Sequence, residues 1–277
     1  VLSSMSPRPI SWSAPPLSSS GLRGVGRAFT SAPSVPGVSE CGPCDPREYR
    51  CRKWTWETCP VLITGFPAGV LACNCYVLAP HAGADAVIVD PGQSAFGRLR
   101  TILDEHRLTP AAVLLTHGHL DHMWSAQKVA DTYGCPVFIH PQDRVMLTDP
   151  IKGIGPRLGQ LALGALFREP RQVVELEHDA QLLDVGGMAV TVDHTPGHTL
   201  GSVCFRAPGL CFTGDTLFKG SVGRTDLFGG SGRDLMNSLV TKLMVLDDDT
   251  VVLPGHGPRS TIGFERRTNP FLEGLTL

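Results

Sequence analysis

No stretch of this 277-residue sequence approaches the roughly 18 uninterrupted apolar residues that a membrane-spanning helix needs. The longest candidates, such as Ala111–Leu115, have the length of a core strand. A basic excess is missing too: 24 Lys and Arg face 26 Asp and Glu, for a formal net charge of −2. That balance argues against a nucleic-acid partner or an anionic membrane surface. Histidine is absent from the first 60 residues, and no acidic residue precedes Glu40. All ten histidines lie beyond residue 60, whereas nine of 23 prolines and Cys41, Cys44, Cys51 and Cys59 lie before it. The charge divides in the same way, at +3 over residues 1–60 and −5 over 61–277. Two kinds of sequence meet near Pro60–Val61.

Residues 1–60 show no sustained apolar periodicity, and Ser-Pro, Pro-Pro and Gly-rich stretches break any helix or strand. Such a segment cannot bury enough apolar surface to offset its ordering entropy, so it is expected to be a disordered extension. It has no apolar core of the kind a secretory signal uses. The preferred reading is a dispensable extension or a start set too far upstream, with a cytoplasmic enzyme behind it. The alternative is an organelle transit peptide, suggested by the Arg and Ser content but opposed by the prolines. The spacing of the four early cysteines matches no common zinc finger, so they are read as unpaired thiols. Cys73, Cys75, Cys135, Cys204 and Cys211 sit in apolar runs and are expected to be buried small hydrophobes.

From Val61 onward, short runs rich in Val, Ile and Leu alternate with loops and a few helices. Strands are predicted at Val61–Phe66, Asn74–Ala79, Ala86–Asp90, Ala111–Thr116, Pro136–His140, Met188–Asp193, Ser202–Arg206, Leu210–Thr213 and Thr250–Leu253. Ser94–His106 places Phe96, Leu99, Ile102 and Leu103 on one helical face. Trp124–Tyr133, Arg157–Phe167 and Asp234–Leu246 read as further helices. Two sheets packed together with helices outside, an α/β architecture, would satisfy this order.

The polar residues of interest sit beside glycines and prolines at strand ends, where loops on a rigid scaffold carry chemistry. His117, His119, Asp121 and His122 place four possible metal ligands within six residues, directly after an apolar strand. A core would not tolerate that density unless the groups were paired or metal-bound, although a solvated loop would. His198, Asp215 and His256 follow at equivalent strand ends, far apart in sequence, as suits ligands converging on one rim. Imidazole and carboxylate without thiolate favour zinc, iron or manganese. Seven ligands are too many for one tetrahedral ion but enough for two divalent ions if Asp215 bridges them.

The pattern His117-x-His119-x-Asp121-His122 with His198, Asp215 and His256 resembles the signature of the metallo-β-lactamase superfamily. Asp90, in Val89-Asp90-Pro91-Gly92, resembles the supporting aspartate of that family. The resemblance covers about Val61 to Leu277. It implies an αβ/βα sandwich of two packed mixed sheets flanked by helices, with metals at one edge. It also implies one ion on His117, His119 and His198 and a second on Asp121, His122 and His256, with Asp215 between them. Within the superfamily the chain looks most like the short bacterial glyoxalase II-like hydrolases. The matching residues are Asn74-Cys75-Tyr76-Val77, Gly214-Asp215-Thr216-Leu217-Phe218, Gly223-Arg224-Thr225-Asp226, and the Asn269-Pro270-Phe271-Leu272 region.

That likeness implies hydrolysis of a small thioester of a low-molecular-weight thiol, an S-2-hydroxyacyl thiol, by a metal-bridging hydroxide. Zinc is the leading cofactor, and Asp121 and Asp215 are the catalytic carboxylates. Arg224 aligns with a basic residue that contacts glutathione in glyoxalase II, or else it staples its own loop to Asp226. Lys219 is a second candidate anion contact. The basic C-terminal helices that grip glutathione in the larger enzymes have no counterpart here, so another thiol carrier or looser specificity is expected. His194 is read as structural, and His81, His106, His140 and His178 as surface or loop residues. Met123 and Trp124 are expected to begin a packed helix, and Phe218 and Leu227 are candidates for an apolar mouth. The alternatives are a single-iron persulfide dioxygenase using His117, His198 and Asp215, another hydrolase of the superfamily such as a lactonase, and a non-catalytic binding module. The oligomeric state is not legible.

Overall fold

A computed structural model describes residues 61–150, 167–177 and 179–274. The extension, its four cysteines, most of the predicted Arg157–Phe167 helix and His178 lie outside the described residues. Fourteen strands are present among the described residues. The first six are β1 (Leu62–Ala68), β2 (Cys73–Ala79), β3 (Asp85–Val89), β4 (Thr109–Leu114), β5 (Val137–Ile139) and β6 (Val173–Glu175). They form one sheet in sequential order. Then come β7 (Gln181–Val185), β8 (Met188–His194), β9 (Val203–Ala207), β10 (Leu210–Gly214), the hairpin β11 (Leu217–Phe218) and β12 (Ser221–Val222), β13 (Val251–Pro254) and β14 (Ser260–Thr261). The second sheet has the order β14-β13-β10-β9-β8-β7. Both sheets are mixed: β3, β4, β5 and β6 run parallel in the first, and β10 and β13 in the second. No helix of the described residues is long and apolar enough to cross a membrane.

The two-residue strand period explains how the layers stack. On β2, Tyr76 and Leu78 face the second sheet, while Cys75, Val77 and Ala79 face the helices outside. On β3, Val87 and Val89 point inward and Ala86 and Ile88 outward. On β9 and β10, Phe205 and Phe212 join the inter-sheet core, whereas Cys204 and Cys211 meet the outer helices. Strands apolar on both faces read as continuous hydrophobic runs, as expected of a sheet covered on both sides. The outer layers include α1 (Ala95–His106), whose buried face is Ala95, Leu99, Ile102 and Leu103.

The predicted Trp124–Tyr133 helix is α3 (Ala126–Tyr133), preceded by a separate four-residue helix, α2 (Leu120–Met123), that the sequence reading did not include. A short helix missed by periodicity, α4 (Pro141–Arg144), follows β5 and is capped by the His140 ring. Near the C-terminus, α5 (Gly232–Ser238) continues into a wider turn over Leu239–Leu243, and α6 is Ile262–Thr268. The strands β6, β7, β11, β12 and β14 also escaped the sequence reading. They are two to five residues long and largely half-exposed, so no apolar run marks them. The five later cysteines are buried free thiols, as expected.

Candidate metal centre

Every predicted ligand follows the C-terminal end of a strand, and all seven meet at one rim. His117 to His122 follow β4, His198 follows β8, Asp215 follows β10 and His256 follows β13. Three groups of side chains offer ligand atoms within 4.8 Å of one another: His117, His119 and His198; His117, His122 and Asp215; and Asp121, His122 and His256. His198 Nε2 lies 2.9 Å from His119 Nδ1. On the other side, His122 Nε2 lies 3.3 Å from His256 Nε2, and Asp121 Oδ2 lies 3.1 Å from that same nitrogen. Asp215 stands between the groups. Its Oδ1 is 3.3 Å from His122 Nε2, and its Oδ2 is 3.6 Å from His198 Nε2 and 3.7 Å from His256 Nε2.

Four of the imidazoles are held from behind. Asp90 Oδ2 accepts from His122 Nδ1 at 3.0 Å, and the Leu71 carbonyl accepts from His256 Nδ1 at 3.0 Å. The Arg224 carbonyl accepts from His198 Nδ1 at 2.7 Å, and Thr116 Oγ1 contacts His117 Nδ1 at 3.1 Å. Fixing Nδ1 in this way leaves Nε2 free to ligate, as in most metal sites. Asp90 also accepts from Thr116 N (2.8 Å) and Thr116 Oγ1 (2.7 Å), anchoring the start of the ligand loop. It does so at φ 47°, a left-handed backbone that few non-glycine residues adopt and that Asp tolerates better than most.

The donor set fits a cation. Among the described residues, His117 Nε2, His119 Nε2 and Asp215 Oδ1 are buried without a hydrogen-bond partner. Orphaned buried polar atoms are costly, and an ion held among these side chains would remove that cost at His117 Nε2 and Asp215 Oδ1. A close approach of the backbone makes the cradle: a Cβ on Gly255 would come within 2.3 Å of Asp215 Oδ1 and 2.5 Å of His122 Cε1. The electrostatics agree. Burial and the neighbouring imidazoles hold His119 down at about 3 and His117 well below the usual histidine range, so both are neutral ligands near pH 7. At Asp215 burial works upward, but His122 and His198 outweigh it and hold the carboxyl low. At His122 burial works downward, yet the surrounding Cys73, Asp215 and Asp90 hold it well above its ordinary value. These carboxylates call for positive charge in their midst, from protons or from metal.

A cavity of about 720 Å³ opens over the centre. Val70, Leu71, Leu120, Trp124 and Leu227 form an apolar wall, with Gln93 and Arg224 among the polar lining. Val70 and Leu71, on the turn between β1 and β2, are 87% and 63% exposed. Trp124 was expected to pack in a helix. It lies instead between the two short helices, against Phe167 and facing the cavity, whereas Met123 is in the core as expected. Leu227 lines the cavity, and Phe218 has its ring 6.2 Å from that of His256. Arg224 reaches the cavity while its guanidinium is held by both oxygens of Asp226, at 2.7 and 2.8 Å. Lys219 does not reach it. It sits in the turn between β11 and β12, with its Nζ over the Phe264 ring at 5.2 Å. His194 touches no ligand: it bonds the Leu200 carbonyl and stacks on His140. Sequence reasoning also missed the carbonyls of Leu71 and Arg224, which no side-chain pattern could reveal.

Residues 68–256 match the Metallo-beta-lactamase superfamily. An uncharacterized protein of Mycobacterium leprae is 71% identical over 218 residues, covering 78% of this chain and all of that protein. Hydroxyacylglutathione hydrolase GloC of Haemophilus influenzae is 35% identical over 190 residues, 68% of this chain and 87% of that one. Among solved structures, BLEG-1 B3 metallo-beta-lactamase is similar at a TM-score of 0.69 and 38% identity, covering 77% of this chain and all of that one. TTHA1623 in a di-iron-bound form gives 0.62 and 36% over 74% of this chain and 97% of that one. ETHE1 from Myxococcus xanthus gives 0.64 and 26% over 78% and 86%. With two packed mixed sheets, helices outside and a His/Asp cluster able to hold metal at their shared rim, the chain belongs to the metallo-β-lactamase superfamily.

Proposed function

We propose that this protein is a hydrolase of small thioesters of the glyoxalase II type, working with two divalent ions, zinc first among them. The observation that carries the reading is Asp215, placed between two ligand groups so that one carboxylate can serve both. Likeness to GloC supports the thioester, and likeness to a di-iron protein supports two metals. His117, His119 and His198 would hold one ion, and Asp121, His122 and His256 the other. Bound there, such ions supply a water acidified to a pKa of about 7 and polarisation of a carbonyl oxygen.

The chain's own residues supply position and surroundings. Asp121 stands beside His256, its Oδ2 3.1 Å from His256 Nε2, where it would orient a nucleophile. The wall of Val70, Leu71, Leu120, Trp124 and Leu227 seats the apolar part of the substrate and keeps bulk water away from the reacting carbonyl. Arg224 offers a cation to a polar group at the cavity edge, tempered by its pairing with Asp226. A thiolate leaves readily, so no strong general acid is required. The proposed compartment is the cytoplasm, where the five buried free thiols stay reduced.

Metal analysis of the purified chain, combined with an activity panel, tests this. Two ions per chain with hydrolysis of a lactoyl thioester are expected. One ion per chain with oxygen uptake on glutathione persulfide would replace the reading with a persulfide dioxygenase. Nitrocefin hydrolysis without thioester turnover would replace it with a β-lactamase.

A further inference from the structure

A buried carboxylate outside the predicted ligand set ties together the two loops that carry one ligand group. Asp143, on α4, is 1% exposed. Its Oδ2 accepts from Gly118 N at 2.9 Å and from Thr199 Oγ1 at 2.7 Å, and its Oδ1 accepts from Gly201 N at 2.9 Å. Gly118 is the residue between His117 and His119, while Thr199 and Gly201 directly follow His198. The same carboxylate therefore fixes the spacing of His117 and His119 against His198. Both glycines are needed for the approach. A Cβ at Gly118 would meet the Asp143 carbonyl oxygen at 2.8 Å, and one at Gly201 would meet Asp143 Cγ at 2.7 Å.

Asp90 does a matching job on the other side. It holds the His122 ring directly and Thr116 at the base of the loop. A buried carboxylate is tolerated when donors satisfy it: Asp143 takes its donors from the loops that carry His117, His119 and His198, whereas Asp90 takes the His122 ring directly and reaches His117 only through the Thr116 hydroxyl. We propose that Asp143 is the positioning residue of the His117–His119–His198 metal position, the counterpart of Asp90 at Asp121–His122–His256. Asp143 touches no ligand side chain; it acts through the backbone of the loops. The inference rests on reading these side chains as metal ligands.

The test uses the full chain carrying Asp143→Asn, which keeps the shape but turns an amide NH2 toward one of the N–H donors. Zinc binding is measured by equilibrium dialysis against a chelator, with cobalt absorption spectra reporting the two positions separately. One ion should bind as in the unaltered chain and the other about 10- to 100-fold more weakly, the usual cost of losing a group that orients a ligand. Thr199→Val removes a single donor and leaves the carboxylate in place. It should weaken the same ion by less and spare the other, with the circular dichroism spectrum unchanged. Equal loss of both ions in the two variants would mean a general structural role and overturn the assignment, as would unaltered binding of both. An unaltered chain that binds no zinc would remove the metal reading and this inference with it. The expected metal pattern without thioester turnover would sink the proposed activity and leave Asp143 in place.

Discussion

The two sheets reach the same rim by different means. The first delivers four ligands from a single loop, where the short helix α2 sets Asp121 and His122 on consecutive helical positions just after His117 and His119. The second delivers three, each from its own loop after β8, β10 and β13, and each beside a glycine: Gly197 at φ 141°, Gly214 at φ 48° and Gly255, which has no room for a Cβ. The first half is prearranged by local geometry. The second is assembled by tertiary structure, so its ligands exist as a group only when β8, β10 and β13 are in register.

The contrast can be broken at its shared member. Asp215→Ala removes the side chain that stands between the ligand groups. Both ions and all turnover should be lost, with affinity falling by more than about 100-fold, the upper range for groups one step further from the metal; metal content after dialysis checks this. Next is the interior that aligns the halves. Phe205→Ala, in the inter-sheet core, should destabilise by about 3–5 kcal/mol in urea unfolding, since the sheets cannot close on the cavity. Asp90→Asn should weaken the ion on the Asp121–His122–His256 side by about 10- to 100-fold and the other by less, through the Thr116 hydroxyl beside His117, seen in the same cobalt spectra.

Smaller effects sharpen the picture at the edges. Val70→Ser and Leu71→Ser should each raise KM about five-fold, or ~1 kcal/mol of lost apolar contact, at unchanged kcat and unchanged melting temperature. The Leu71 carbonyl that holds His256 is untouched by that change. His140, in the first half, is held down at about 4 by burial and by the stacked His194 ring. Below its ordinary value near 6.5 the unfolded chain takes up a proton that the folded chain refuses. This contribution is therefore present above pH 6.5 and lost as pH falls toward 4. His140→Gln should reduce the difference in urea stability between pH 7.5 and pH 5 by about 1 kcal/mol, after discounting for its partial exposure.

The same contrast governs what was legible. The ligand loop after β4 stood out because four ligating side chains seldom crowd into six residues unless a cation holds them together. The three single ligands were legible from their places beside glycines at strand ends, and the family pattern then joined them to the loop. The long strands were legible because both their faces are apolar. The strand β6 was not: Val173, Val174 and Glu175 include no fully buried side chain, so nothing in them announces a sheet edge. Asp143 was illegible for a different reason. Its partners are two glycine amides and a hydroxyl, and the sequence records none of those contacts. Lys219 sits in the two-residue turn between β11 and β12, where no strand or helix period tells which way a side chain points.

The linear order of the ligands is also an order in time. A growing chain carries His117, His119 and His198, with Asp143 between them, well before it carries His256. One of the two proposed metal positions therefore has all of its histidines while the other still lacks one. The aspartate common to both is made in the interval.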